Sequence, residues 1–239
     1  MIRRVQALIV TSLLIGSLLI GRLGAAAELS GYVIATSDYV YRGATQSDGH
    51  AALQAAVDIN FSTGFFVGAW ASSVDIPGPG DNHRQTEIRA YLGYLFDLSD
   101  RFSLILNTVA YRYPGSDGQL SYDNQEWSAA LGIDDQYWVE YAYSADLYDL
   151  GIETHNIEIF AEWPFGDGYL LSAGLGHFQV DWPESVYANE TLHWQLGITR
   201  SFGRLDVDLR YHEAQDPVWF ASNDDRIGSR FALSVRLGF

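Results

Sequence analysis

Toward its C-terminal end the chain alternates apolar and polar residues with a period of two. In the final segment Phe231, Leu233, Val235, Leu237 and Phe239 interleave with Arg230, Ala232, Ser234, Arg236 and Gly238. Successive side chains of a strand point to opposite faces, so one face of this segment is wholly apolar. Leu205, Val207, Leu209 and Tyr211 repeat the pattern against Arg204, Asp206, Asp208 and Arg210. Leu192, Trp194, Leu196 and Ile198 do so against His193, Gln195, Gly197 and Thr199. Comparable segments at 31–41, 50–61, 65–74, 85–96, 102–112, 122–133, 137–145, 154–163 and 169–179 bring the predicted strands to twelve. The first, third, fifth and seventh hold apolar or small residues on both faces, which leaves their register open. Most run about ten residues, the length at which a tilted strand crosses a hydrocarbon core.

The connections alternate in length. Ser62-Thr63-Gly64, Asp97 to Arg101, Asp134-Asp135-Gln136, Pro164 to Gly168 and the Gly203 turn are short. Arg42 to Gly49, Asp75 to Arg84, Tyr113 to Ser121, Asp146 to Glu153, Val180 to Glu190 and Glu213 to Gly228 are longer and polar. Tight turns at one rim and long loops at the other predict an all-β fold, a transmembrane up-and-down antiparallel β-barrel of about 12 strands. Aromatics gather at the short-turn rim: Phe61 and Phe65, Phe96 and Phe102, Trp163, Phe165 and Tyr169, with Tyr137, Phe202 and Phe239 at the same level. Such a girdle suits a membrane interface. A secreted β-sandwich is the structural rival, but its connections have no reason to alternate short and long.

The first 27 residues follow another rule. Arg3 and Arg4 precede an apolar stretch from Ala7 to Ile20, and Ala25, Ala26 and Ala27 follow, as in a secretory signal peptide cut before Glu28. The expected domains are therefore a signal peptide, 1–27, and a single barrel, 28–239. The 239 residues carry a net charge of -16, with every basic residue an Arg, which excludes nucleic acid as a partner. Cysteine is absent, so no disulfide or thiolate site exists.

Thr36 to Asp75 reads TSDYVYRGATQSDGHAALQAAVDINFSTGFFVGAWASSVD, and Glu87 to Gly115 reads EIRAYLGYLFDLSDRFSLILNTVAYRYPG. The pieces TSDYVYRG, Gln46-Ser47-Asp48 and GFFVGAWASSVD are the specific part. These stretches resemble the Gcw_chp family of proteobacterial exported proteins, also known as TorF-type porins. The resemblance implies an outer-membrane β-barrel in which porin activity is inferred, and it brings no substrate and no catalytic residues. The C-terminal Phe239 behind Leu237 also resembles the assembly signal of bacterial outer-membrane proteins, which implies the barrel assembly machinery as a partner.

No catalytic motif or cofactor signature is present, and the six His are scattered without a close pair, so neither a dedicated metal site nor a cofactor is expected. The alternation sends twelve charged residues into the lumen, since lipid would penalise them: Asp58, Glu87, Arg89, Glu126, Glu140, Glu158, Glu162, Asp206, Asp208, Arg210, Arg230 and Arg236. They either line a narrow water-filled passage or form ion pairs that plug it. Three functions stay open: a passive channel for small solutes or ions, preferring cations because the six long connections hold a large excess of carboxylates over Arg42, Arg84 and Arg226; a structural or surface-interaction barrel meeting divalent-bridged lipopolysaccharide; and a barrel lipid hydrolase built on a Ser–His pair. All three place the chain in the cell outer membrane.

Overall fold

The computed structural model describes residues 27–75, 84–114, 122–181, 190–215 and 226–239. Twelve strands close into an antiparallel barrel: β1 (Ala27–Thr36), β4 (Ala52–Phe61), β5 (Phe65–Asp75), β6 (Arg84–Asp97), β7 (Phe102–Arg112), β8 (Asn124–Ile133), β9 (Tyr137–Ser144), β10 (Glu153–Phe165), β11 (Tyr169–Asp181), β12 (Glu190–Phe202), β13 (Leu205–Gln215) and β14 (Arg230–Gly238). Each pairs with its sequence neighbour in the ring, and β14 returns to β1. Two further strands, β2 (Val40–Tyr41) and β3 (Ala44–Thr45), form a separate hairpin between β1 and β4. The expected signal peptide lies outside the described residues except for Ala27, which already belongs to β1.

The ring closes through Val33↔Leu237 and Ala35↔Val235, and Gly31 and Phe239 exchange backbone hydrogen bonds of 3.0 and 2.9 Å. Gly31 is required there, because a Cβ would come within 2.6 Å of the Phe239 ring and 2.7 Å of the Ala56 carbonyl. Closure pairs β14 with β1, so that neither strand is left as an open sheet edge toward lipid. Outward positions are apolar around the ring, with Leu29, Leu53, Leu92, Ile159, Leu175, Leu209, Leu233 and Leu237 all exposed. At the short-turn rim Phe61 packs on Phe65 at 5.5 Å, Phe165 stacks on Tyr169 at 5.4 Å, and Trp163 Nε1 donates to the Tyr137 hydroxyl at 3.2 Å. Arg101, in the turn before β7, donates twice at 2.8 Å to Asp134, in the turn after β8, and these bonds hold the Asp134 carboxyl below its ordinary value.

Two expectations need correction. The segment 31–41 is not one strand: β1 ends at Thr36, and Ser37 N donates to the Leu233 carbonyl as the chain leaves the wall. Residues 37–51 then form a first loop folded into the barrel, so Arg42 does not belong to the mouth. The four strands of open register turn out to be β1, β5, β7 and β9. Their interior faces carry Tyr32 and Ile34, Phe66, Trp70 and Val74, Ile105 and Tyr111, and Trp138, all buried in one apolar cluster. Both faces look apolar because the lumen itself is partly apolar.

Replacing Leu237 and Phe239 together by Asp puts charge on the lipid face of the closing strand. Folded protein that resists detergent without boiling should fall sharply in yield, measured as the fraction of faster-migrating band in an unboiled denaturing gel. Unchanged yield would count against β14 being needed for closure.

Candidate functional site

The first loop is built from the motif TSDYVYRG and the Gln46-Ser47-Asp48 that follows it. Tyr41 and Ala44 pair across β2 and β3, which leaves Arg42 and Gly43 as a two-residue turn. Both adopt positive φ, 48° and 79°, the combination of a type I′ turn. Gly43 meets this need freely, and a Cβ there would also fall 2.9 Å from His193 Cβ on the opposite wall. Arg42 adopts it at a steric cost of about 1–3 kcal/mol. Asp38 is the anchor of the loop: its Oδ1 accepts from Thr45 and Ser47 hydroxyls at 2.5 and 3.0 Å, and its Oδ2 accepts from Arg230 Nη1 at 2.9 Å.

Of the twelve charges that the alternation assigns to the lumen, Glu87, Arg89, Glu126, Glu158, Glu162, Asp206, Asp208, Arg210 and Arg236 are buried, and Asp58, Glu140 and Arg230 are half-buried. Their partners divide them into groups. Glu87 accepts from Arg89 Nε at 2.5 Å, and Arg89 Nη2 donates to the Tyr39 hydroxyl at 2.5 Å. The Arg89 guanidinium lies 4.5–4.7 Å from the rings of Trp70, Tyr41 and Tyr111. Glu126 takes a two-pronged bond from Arg42 at 2.6 and 3.0 Å and a third from the Tyr111 hydroxyl at 2.9 Å. Arg210 donates to Asp208, Ser172 and Gln195, while Thr199 donates to Asp208 at 2.7 Å. Arg236 pairs with Asp206 at 3.1 Å and lies over the Tyr32 ring. Asp58 accepts from the Tyr91 hydroxyl.

The wall of β9 to β12 is different. Glu140 and Glu158 stand directly opposite each other, and Glu158 has Gln195 as a donor at 3.3 Å. Like charges in that register repel. Among the described residues, Asn156 Oδ1, Glu162 Oε1 and His193 Nε2 are buried without a hydrogen-bond partner. This sector has a surplus of carboxylate, and the first loop brings Arg42 toward it.

Apolar and polar surfaces divide the lumen lengthwise. From β5 to β10, Phe66, Leu95, Ile105, Ala130 and Trp138 lie inward toward the short turns, with Phe160 directly across from Trp138, and they belong to one buried cluster. On the other side, Asp206, Asp208, Arg210, His212, Ser234 and Arg236 line β13 and β14, and a cavity of about 40 Å³ opens beside this strip against Thr36, Asp38 and Gln54. At the loop end, carboxylates remain exposed or half-buried at Asp48, Asp75, Asp181 and Glu190, whereas Arg42 and Arg226 turn inward. Two mixed clusters form there, Asp48 with His50 and Asp75, and Glu153 with His155 and Asp181. Strand spacing alone gave no sign of them, because their members come from different loops and strands.

Sequence reasoning missed Asp38, Tyr39, Tyr41, Arg42, Trp70 and Tyr111. The signal was available in TSDYVYRG, where Arg-Gly can serve as the centre of a two-residue hairpin, but the same letters also fit the end of a strand.

The family model described as "Bacterial protein of unknown function (Gcw_chp)" matches residues 24–230. The chain belongs to the Gcw_chp family. No curated protein matches it in sequence. Among solved structures it is similar to the KdgM porin, with a TM-score of 0.55 at 9% identity over 88% of this chain and 99% of that one. It is similar to the NanC porin at 0.55 and 10% identity, covering 88% and 98%. A third likeness is to the COG4313 outer membrane channel from Pseudomonas putida F1, at 0.53 and 13% identity, covering 91% and 96%. At these identities the Gcw_chp chain shares the outer-membrane barrel fold with them.

Removing one member of a buried ion pair leaves the other charge uncompensated, a loss of about 3–5 kcal/mol. Asp38→Ala should therefore lower the urea midpoint of the folded band clearly, and Asp38→Ala with Arg230→Met should recover part of it. A double variant no more stable than the single one would show that Arg230 does not depend on Asp38.

Proposed function

We propose that this Gcw_chp chain is a narrow outer-membrane channel for small solutes or ions that prefers cations. It is exported by its N-terminal signal and meets outer-membrane lipid through its apolar exterior. The reading is carried by one observation, the polar strip of β13 and β14. It runs from Asp38 and Arg230 near the loops, past the cavity at Asp208 and Arg210, to Asp206 and Arg236 at the short-turn end. A path of hydrogen-bonding groups through an otherwise packed interior is what a hydrated ion needs. The first loop narrows the path, so conduction is small in this arrangement.

Cation preference follows from the charge at the mouth. Arg42 and Arg226 are drawn inward, while Arg112 stays exposed but is matched by Asp123 at 3.4 Å. The exposed carboxylates there enrich cations within a Debye length, about 10 Å at 0.1 M salt.

A second reading is favoured by the apolar cluster that includes Phe66, Trp70 and Trp138, packed inside the barrel. On it the protein is a non-conducting structural or surface-interaction barrel, and the His-carboxylate clusters at the loop end meet divalent-bridged lipopolysaccharide. A lipid hydrolase is the weakest of the three, because His193 and His212 both sit on interior positions, away from lipid.

Refolded protein in a planar bilayer across a KCl gradient should give a reversal potential on the cation side, and the preference should shrink as salt is raised. An anion-side potential at low salt would overturn the cation preference. Absence of conductance in protein shown to be folded would favour the structural barrel.

A further inference from the structure

The Glu126 pocket is shaped for a guanidinium, and the chain fills it with its own. Arg42 reaches it from the first loop and is held by the paired bonds to Glu126, which is itself buried and steadied by Tyr111. The Arg42 guanidinium lies 5.3 Å from the Phe178 ring on β11, and 4.8 Å from Tyr41 on its own hairpin. A two-pronged carboxylate with an aromatic face is the general recognition set for a planar cation. Three of its four parts, Glu126, Tyr111 and Phe178, belong to the barrel wall and stay when the loop leaves. Beyond them Glu140 and Glu158 face each other across β9 and β10, so a second positive charge on the same molecule would find carboxylates nearby.

The turn that presents Arg42 points the same way. At φ 48° a type I′ position favours Asn, Asp or Gly, and a long side chain gains nothing locally. The strain is offset by what the guanidinium reaches.

We propose that the lumen wall at Glu126, Tyr111 and Phe178 is a binding site for organic cations bearing a guanidinium group, and that Arg42 is its tethered occupant. A solute of this class competes with Arg42, and displacement frees the first loop's grip on the β8 wall. The proposal rests on the channel reading for its role in passage, but not for binding itself. Because the tether keeps the site occupied, free solute binds the intact protein with an affinity lowered by the fraction of time that Arg42 is away.

Agmatine titrated into detergent-folded full chain by calorimetry tests the binding. Arg42→Ala should bind it at least about tenfold more tightly than the unaltered protein, and adding Glu126→Gln should abolish the gain. Arg42→Gln gives the same comparison if the alanine variant does not stay heat-modifiable on a gel. In bilayers, Arg42→Ala should conduct KCl better than the unaltered protein, and agmatine should block that current. Folded Arg42 variants that bind agmatine no better than the unaltered protein overturn the site, whatever they conduct. Tight binding by variants that never conduct keeps the site and instead defeats the channel reading.

Discussion

A backbone amide or carbonyl left unpaired in hydrocarbon costs several kcal/mol, and the whole molecule is organised around avoiding that cost. The pairing of β14 with β1 meets the requirement, since without it two strand edges would face lipid. Everything else follows from a closed wall. Once the outside must be apolar, the period of two turns ionisable residues such as Glu87, Arg89, Asp206, Asp208 and Arg210 inward and leaves outward ones such as Arg112, Arg200 and Glu213 near the strand ends. Once these charges share a narrow lumen, they must neutralise one another. Arg89 with Glu87, Arg210 with Asp208 and Arg236 with Asp206 are that neutralisation made local, each between residues on one strand or on adjacent strands.

Local pairing does not finish the task. Glu126 takes its partner, Arg42, from the first loop, and Asp38, on that loop, takes Arg230 from β14; both partners lie far away along the chain. These two bonds tie the first loop to opposite parts of the wall. The loop is thus the element that completes the charge balance of the lumen as well as the one that narrows it. Moving the loop out of the lumen and unbalancing the lumen's charge are therefore the same event.

How much of this was legible depends on which face a residue lies on. Strands such as β13 and β14 declare themselves, because Leu205, Val207 and Leu209 alternate with Asp206, Asp208 and Arg210 without exception. The contrast between lipid and lumen is greatest there. In β5 the contrast disappears: Phe66, Trp70 and Val74 face inward while Val67 and Ala69 face outward, so period two carries no information about side. The first loop was hidden for another reason. Tyr39 and Tyr41 read as the continuation of a strand, and only the long-range partners Glu87, Arg89 and Glu126 decide that the chain turns into the barrel instead. Pairing between residues dozens of positions apart leaves no periodic trace.

The hydrogen bonds at the seam carry one more implication. Ser37, where the loop leaves β1, bonds Leu233 through both its amide and its hydroxyl, and Asp38 is bound by Arg230; both partners lie on β14. β14 therefore supplies the clasp for a loop nearly two hundred residues earlier in the chain. Without β14 in place, the loop lacks these anchors. The seam and the clasp thus share one strand, so a substitution that loosens the pairing of β14 with β1 also loosens the loop that fills the lumen.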